Sequence, residues 1–286
     1  MITVIIPTYN RGNTIKRAID SVLNQTILDI ELIIIDDNSD DDTQEVVKNY
    51  KDDRIRYFKL KENRGACYAR NYGISIAKGQ YIAFQDSDDE WKLDKLKKQL
   101  TFLKNNNLDI VSCKMNVYEN NRVFLFPNCV KVDKERIYFK NYISTQTILG
   151  KKECFEQIKF DEKLPRFQDW DLSIRLMKRF KVAILDEVLV DVFIQNNSIS
   201  RSNIKAINAL NIFIEKYGEN KKIKSNYLRL IALYKMEYNE EYKEYMKLAF
   251  KNDPFEKKNI FDFVLSSLGL KKLHYKFYLK KGDFKI

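Results

Sequence analysis

Three carboxylates, Asp86, Asp88 and Asp89, stand within four residues of chain. They follow a short β-prone run, Tyr81 to Phe84, and precede a helical pattern that starts at Leu93. Asp86 and Asp88 are two apart, so in an extended segment both side chains point the same way. Two hard oxygen donors so placed suit Mg²⁺ or Mn²⁺, which take one or two carboxylates and fill their other positions with water and substrate phosphate. A solvated acidic loop capping the next helix would use the same residues, so the cluster alone leaves both readings open.

Two further acidic groups carry potential chemistry. Asp36 to Asp42 holds five Asp residues after a second apolar run, but an EF-hand loop needs Gly at its sixth position and Glu at its twelfth. Counting from Asp36 gives Asp41 and Val47, and counting from Asp37 gives Asp42 and Lys48, so calcium-loop chemistry is rejected. Asp169 and Asp171 open a helix whose Leu172, Leu176, Met177 and Phe180 recur on one face. Acids at a helix start are favoured by the macrodipole, so simple capping also explains that pair.

The elements that must position these residues follow a repeating order. Ile2 to Ile6 is an apolar run ended by the turn Pro7-Thr8-Tyr9-Asn10-Arg11, and Ile15, Ala18, Ile19, Val22 and Leu23 then recur at helical spacing. Leu32 to Ile35 and Ile55 to Phe58 repeat the strand signal, each followed by a helical segment, and Tyr81 to Phe84 is the fourth such run. Four βα repeats in under a hundred residues predict a parallel, doubly wound sheet with helices on both faces. In such a sheet, carboxylates just past the strand ends lie in the crevice where ligands bind. Further strands are expected at Ile110 to Met115 and Arg122 to Phe126, an extended segment at Tyr142 to Leu149, and a terminal strand pair at Val182 to Leu185 and Val188 to Ile194.

Beyond Ser202 only helical patterns remain. Tyr227, Leu230, Ile231, Tyr234 and Tyr238 form one apolar stripe; Tyr242, Tyr245, Met246, Ala249 and Phe250 form the next; Phe261, Val264, Leu265 and Leu268 form a third. All three are expected to face a core.

The 286 residues carry a net charge of +11, and from Arg201 onward 19 basic residues face 10 acidic ones. A basic tail fits nucleic acid, anionic lipid or a phosphate-bearing substrate. Nucleic acid is disfavoured because the aromatic residues there follow core periodicity instead of interleaving with the lysines. Four well-separated Cys residues and the single His274 exclude a zinc site of ordinary spacing, and the thiols are expected to be buried or half-buried. The start of the chain shows no signal-peptide pattern, and no window reaches the roughly 18 apolar residues of a membrane span. The sequence therefore predicts a cytoplasmic protein.

Five blocks occur together in the order and spacing of one family. They are Pro7-Thr8-Tyr9-Asn10-Arg11, Asp36-Asp37-Asn38-Ser39, Asn63-Arg64-Gly65 with Ala69-Arg70-Asn71, Asp86-Ser87-Asp88-Asp89 with Trp91, and Gln168-Asp169-Trp170-Asp171-Leu172. The chain resembles a family 2 glycosyltransferase with the GT-A fold, an α/β, Rossmann-like, doubly wound and mostly parallel sheet. The resemblance spans about 200 residues. It places the catalytic domain at 1–202, with a nucleotide-sugar half to about 105 and an acceptor half beyond, and leaves 203–286 as a basic, all-α extension.

The resemblance also implies roles. Pro7, Thr8, Tyr9 and Asn10 would flank the nucleobase, with Tyr9 stacking on it, while Asp37 or Asp36 accepts a hydrogen bond from the pyrimidine. Asp86 and Ser87 would contact the ribose, Asp88 would hold a divalent Mn²⁺ or Mg²⁺, and Arg64 and Arg70 would meet phosphate or donor sugar. Asp169 would be the general base of an inverting transfer, with Asp171 facing away. The implied partners are a nucleotide sugar, UDP-linked by preference, and a glycan or lipid-linked saccharide acceptor, with the basic tail beside an anionic membrane face. Many family members carry a histidine where this chain has Gln195, which cannot become cationic. A metal-dependent nucleotidyltransferase and a non-catalytic interaction protein on a decayed transferase domain remain as alternatives.

Overall fold

A computed structural model describes residues 1–131, 133–194, 202–237 and 242–281. The chain divides into two compact units, Met1–Glu162 with Gln168–Gln195, and Lys163–Phe167 with Asn196–Ile286.

The first unit is built on strands β1 (Ile2–Thr8), β2 (Ile30–Asp36), β3 (Ile55–Lys59) and β4 (Tyr81–Phe84). Every residue of β1 and β2 is buried, as expected of strands covered on both faces. The strands pair in parallel in the order β3-β2-β1-β4, so their carboxyl ends share one rim. One face packs Val4 and Ile6 against α1 (Ile15–Leu23), α2 (Thr43–Lys48) and α4 (Lys95–Asn105). The other packs Ile5, Ile33 and Phe84 against α3 (Ala66–Ile76), α5 (Lys152–Gln157) and α6 (Gln168–Arg179).

The sheet continues from β4 through β8 (Leu149–Lys151), β6 (Ile110–Glu119) and β9 (Val182–Phe193) to β5 (Glu90–Trp91), with β7 (Arg122–Phe126) beside β6. This half is mixed: β6 and β9 are parallel, while β8, β7 and β5 pair antiparallel to their neighbours. The expected terminal strand pair is one strand, because Asp186 and Glu187 bulge out of the register between Leu185 and Val188 without ending it. Glu187 pairs with Lys98 at 2.5 Å, and Asp186 pairs with Lys114. The expected extended segment at Tyr142 to Leu149 forms only the start of β8, preceded by a 3₁₀ turn at Thr145–Thr147. Three cysteines are buried, but Cys129 is exposed, against expectation.

Gly79 lies where two backbone segments touch. A Cβ there would stand 2.6 Å from the Thr3 amide nitrogen and 2.8 Å from Thr3 Oγ1, which accepts the Gly79 N–H at 2.9 Å. Gly79→Ala is expected to cost about 1–3 kcal/mol through overpacking, read as a lower urea midpoint at unchanged slope.

The second unit is helical: α7 (Asn203–Tyr217), α8 (Lys221–Glu237), α9 (Tyr242–Asn252), α10 (Lys257–Ser267) and α11 (Lys271–Lys281). Tyr227, Ile231 and Tyr234 of the first predicted stripe are buried, as are Tyr242, Met246 and Ala249 of the second; Tyr238 lies outside the described residues. The third stripe is a correction. Of its four members only Leu265 is buried, while Phe261, Val264 and Leu268 are exposed. Among the described residues, no helix is long and apolar enough to cross a membrane.

Candidate active site

The carboxyl ends of β1, β2 and β4 bring three of the five motifs to one rim. The Asp37 N–H donates to the Thr8 carbonyl at 2.8 Å, joining the loop after β2 to the end of β1. Beyond it the Asn10 N–H donates to Ser39 Oγ at 2.9 Å, and Asn10 Oδ1 accepts the Asp40 N–H at 3.0 Å. Asn10 (φ 52) and Asn38 (φ 69) take the left-handed conformation that Asn tolerates best after Gly. Pro7 and Thr8 are buried in this junction and Tyr9 is exposed.

The two aspartates of β2 part company. Asp36 is fully buried and accepts hydrogen bonds from Tyr57 Oη and, at 2.7 Å, from the Ser39 N–H. Asp37 accepts the N–H groups of Arg64 and Gly65, both at 2.7 Å, and so clamps the start of α3 to the rim. Gly65 needs its missing Cβ here, since its φ is 88. Burial pushes the Asp37 carboxyl up, with Asp36 adding to the rise, against the pull of those two N–H donors. The Arg64 side chain is exposed, its guanidinium 3.6 Å from the Tyr68 ring centroid.

After β4 the acidic cluster divides by role. Asp89 is buried and accepts the Phe193 N–H at 3.1 Å, tying the loop to the end of β9. Arg17 lies 3.9 Å over the Phe193 ring and donates to the Asp88 carbonyl. Asp86 and Asp88 keep partly exposed carboxyls: Asp86 accepts from Arg70 Nη2 at 2.7 Å, and Arg11 Nε stands 3.7 Å from Asp88 Oδ2. Burial and then the charge of Asp86 push Asp88 up, and Arg11 offsets part of that. Ser87 between them is buried.

Arg70 joins this cluster to the fifth motif. It is almost fully buried, and its Nη1 donates to Gln168 Oε1 at 3.3 Å, at the start of α6. The next residue is Asp169. The residue is half-buried, and burial pushes its carboxyl up to about 6. The Trp170 N–H (2.8 Å), the Asn141 side chain and the Arg70 charge pull it down, and Asp86 pushes it up. Asp171 is fully buried against Arg175, whose Nε donates to it at 2.8 Å, so it faces away from the site. Gln195 lies outside the described residues.

The sequence-predicted residues thus form two clusters on one rim: Tyr9, Asn10, Asp37 and Arg64, and then Asp86, Asp88, Arg70 and Asp169. Arg11, Arg17, Asn141 and Gln168 were missed as contributors, and only Arg11 and Gln168 lay inside motifs that drew attention. A divalent ion fits the donor set. Among the described residues no group of three Asp, Glu, His or Cys side chains could cage a metal, while the partly exposed Asp86–Asp88 pair supplies hard oxygens. Such an ion would complete its shell with phosphate and water, the usual habit of Mg²⁺.

The model of Glycosyl transferase family 2 matches residues 3–157, and the chain belongs to that family. Its fold is that of GT-A glycosyltransferases. An uncharacterized glycosyltransferase of Haemophilus influenzae is 33% identical over 235 residues, covering 78% of this chain and 92% of that protein. TuaG of Bacillus subtilis, a glycosyltransferase assigned to teichuronic acid biosynthesis, is 34% identical over 215 residues (72% and 84%). Over a shorter stretch of 103 residues (36% and 41%), the chain is 45% identical to the Escherichia coli UDP-Glc:alpha-D-GlcNAc-diphosphoundecaprenol beta-1,3-glucosyltransferase WfaP. Among solved structures, S. aureus TarS 1–349 in complex with UDP-GlcNAc superposes with a TM-score of 0.64 at 19% identity, covering 92% of this chain and 89% of that one. The Pyrobaculum calidifontis mannosyltransferase PcManGT, in complex with GDP-Man and Mn²⁺, gives 0.65 at 17% identity (99% and 83%).

Proposed function

We propose that this enzyme transfers a sugar from a UDP-sugar to a hydroxyl of a lipid-linked or surface-glycan acceptor, with inversion and with Asp169 as the general base. The observation that supports the reading is the Asp86–Arg70–Gln168 chain of contacts, with the Asp169 carboxyl near enough to feel the charges of both Arg70 and Asp86. Relatives that act on a diphosphoundecaprenol-linked sugar or are assigned to teichuronic acid synthesis support the acceptor class, and a structural neighbour holding UDP-GlcNAc supports the donor class. The basic region at 203–286 would keep the enzyme peripheral to an anionic, cytoplasm-facing membrane surface.

In this reading Tyr9 stacks on the nucleobase, and Asp37 and Asn10 set the depth of its pocket. Asp86 and Ser87 face the ribose, while Arg64 reaches the donor's phosphates or sugar. Arg70 acts mainly by holding Asp86 and Gln168 in place. Asp88, with Asp86 nearby, would hold Mn²⁺ or Mg²⁺; the bound ion offsets negative charge on the departing diphosphate. The acceptor oxygen attacks the anomeric carbon, the bond from that carbon to the diphosphate oxygen breaks, and Asp169 takes the hydroxyl proton. One such in-line displacement inverts the anomeric centre. A carboxyl held near 6 suits the task, because it is ionised at neutral pH yet more basic than an ordinary Asp.

Nucleotide release from a panel of nucleotide sugars, with Mn²⁺ and with EDTA, tests the reading. UDP release that needs the ion is expected. Pyrophosphate release from a nucleoside triphosphate would replace the reading with nucleotidyl transfer.

A further inference from the structure

Helix α10 turns its amphipathic character inside out. At about 100° per residue, Ile260, Phe261, Val264 and Leu268 fall within an arc of about 100°. All four are exposed, Leu268 keeping 65% of its surface, although Phe261 also packs its ring 4.7 Å from that of Phe277. The buried side of the helix carries Asn259, Asp262 and Ser266 beside Leu265, and the half-buried Phe263 at its edge stacks on Phe250. Burial of the polar side is specific. Asn259 Nδ2 donates to Ser225 Oγ and to the Asp253 carbonyl, both at 2.8 Å, and Ser225 Oγ donates to the Ala249 carbonyl at 2.8 Å. Asp262, 1% exposed, stands 3.5 Å from Arg229 Nη1 and 2.8 Å from His274 Nε2. A polar network satisfied in this way fixes the rotation of the helix, because turning the apolar arc inward would strip buried groups of their partners. The outward arc is therefore a built surface.

Its surroundings indicate what covers it. Phe255, Leu270 and Leu273 flank the arc in sequence and are exposed, Phe255 at 90%. Residues 255–281 hold seven lysines against two acids, and one of those acids is the buried Asp262. Lys257 and Lys258 stand at one end of the helix, and Lys271 and Lys272 follow its other end. Long lysine stems that lift their ammonium groups above an apolar stripe match the boundary between acyl chains and anionic headgroups. A second copy of this chain fits worse. Two-fold pairing through the arc would set lysines of one copy against lysines of the other, since lysines stand at both ends.

We propose that the Ile260–Phe261–Val264–Leu268 face of α10 docks on a bilayer containing anionic lipid, with Lys257, Lys258, Lys271 and Lys272 contacting its phosphates. This deepens the peripheral-membrane part of the transfer reading by naming the surface. Its test is independent of donor and acceptor, so failure of either idea leaves the other standing.

The test is flotation of the full chain with vesicles of phosphatidylcholine alone or with phosphatidylglycerol added. Binding is expected only to the anionic vesicles and is expected to weaken with salt. Val264→Ser with Leu268→Ser should lower partitioning about tenfold or more. Lys→Gln at the four named positions should cost about fivefold each. Val264, Leu268, Lys257, Lys258 and Lys272 are exposed and Lys271 is half-buried at a helix end, so circular dichroism is expected to stay at its wild-type values, and so is the midpoint of thermal unfolding for the variants that leave Lys271 in place. Equal binding to phosphatidylcholine, or variants that float like the wild type, would overturn the proposal. So would a dimer in solution that Val264→Ser with Leu268→Ser dissolves while wild-type protein fails to float.

Discussion

The Asp169→Asn variant is expected to lose transfer by about 10²–10⁴-fold while binding UDP almost as the wild type does. The amide keeps the size and hydrogen-bonding reach of the carboxylate but cannot accept the hydroxyl proton. The substitution removes one charge beside Arg70 and Asp86, while Asn10 and Asp37 are held by hydrogen bonds of their own at the ends of β1 and β2, so the proposed nucleobase site there should be untouched. The wild-type pH profile carries a second signature. Burial raises this carboxyl to about 6, so the base form is present above that value and is lost as the pH falls through it. The acidic limb of kcat/KM should therefore bend near pH 6, well above the range of an unperturbed Asp. Wild-type-like turnover by Asp169→Asn, with UDP affinity unchanged, would remove Asp169 from the chemistry.

The second large effect is expected at Asp88. Asp88→Asn should reduce transfer about 10²–10³-fold and abolish the tightening of UDP binding by Mn²⁺, measured by calorimetry with the ion and with EDTA. Asp89→Asn serves as the contrast. Its carboxyl is buried on the Phe193 N–H, so the loss there should appear as a lower unfolding midpoint, with the Mn²⁺ response of the folded protein retained. An Asp88→Asn protein that still binds UDP more tightly with Mn²⁺ would move the ion site elsewhere.

What the sequence made legible follows from which forces act locally. Strands β1 and β2 could be read because burial on both faces leaves apolar runs, Val4 to Ile6 and Leu32 to Ile35, that stop at Pro7 and Asp36. The site followed, since parallel strands put those stops on one rim. Strand β5 is two residues long and exists only because β9 lies beside it, so no local signal could reveal it. Asp186 and Glu187 looked like a turn between two strands, yet pairing with β6 carries β9 past them as a bulge. The division of labour within Asp86, Asp88 and Asp89 was also hidden, because composition cannot say which carboxylate meets a backbone N–H from β9. Helix α10 misled for a related reason. Periodicity shows that a helix has two faces, and only the Asn259–Ser225 and Asp262–His274 partners, far apart in sequence, decide which face is buried.

A crystal structure of the Asp169→Asn protein with Mn²⁺ and its UDP-sugar tests the central claim most directly. The uracil is expected against Tyr9 and Asp37, the diphosphate on the Asp88 side, and the anomeric carbon turned toward residue 169 with room for one hydroxyl between them. A diphosphate lying between residue 169 and the sugar, or a sugar facing away from α6, would contradict it.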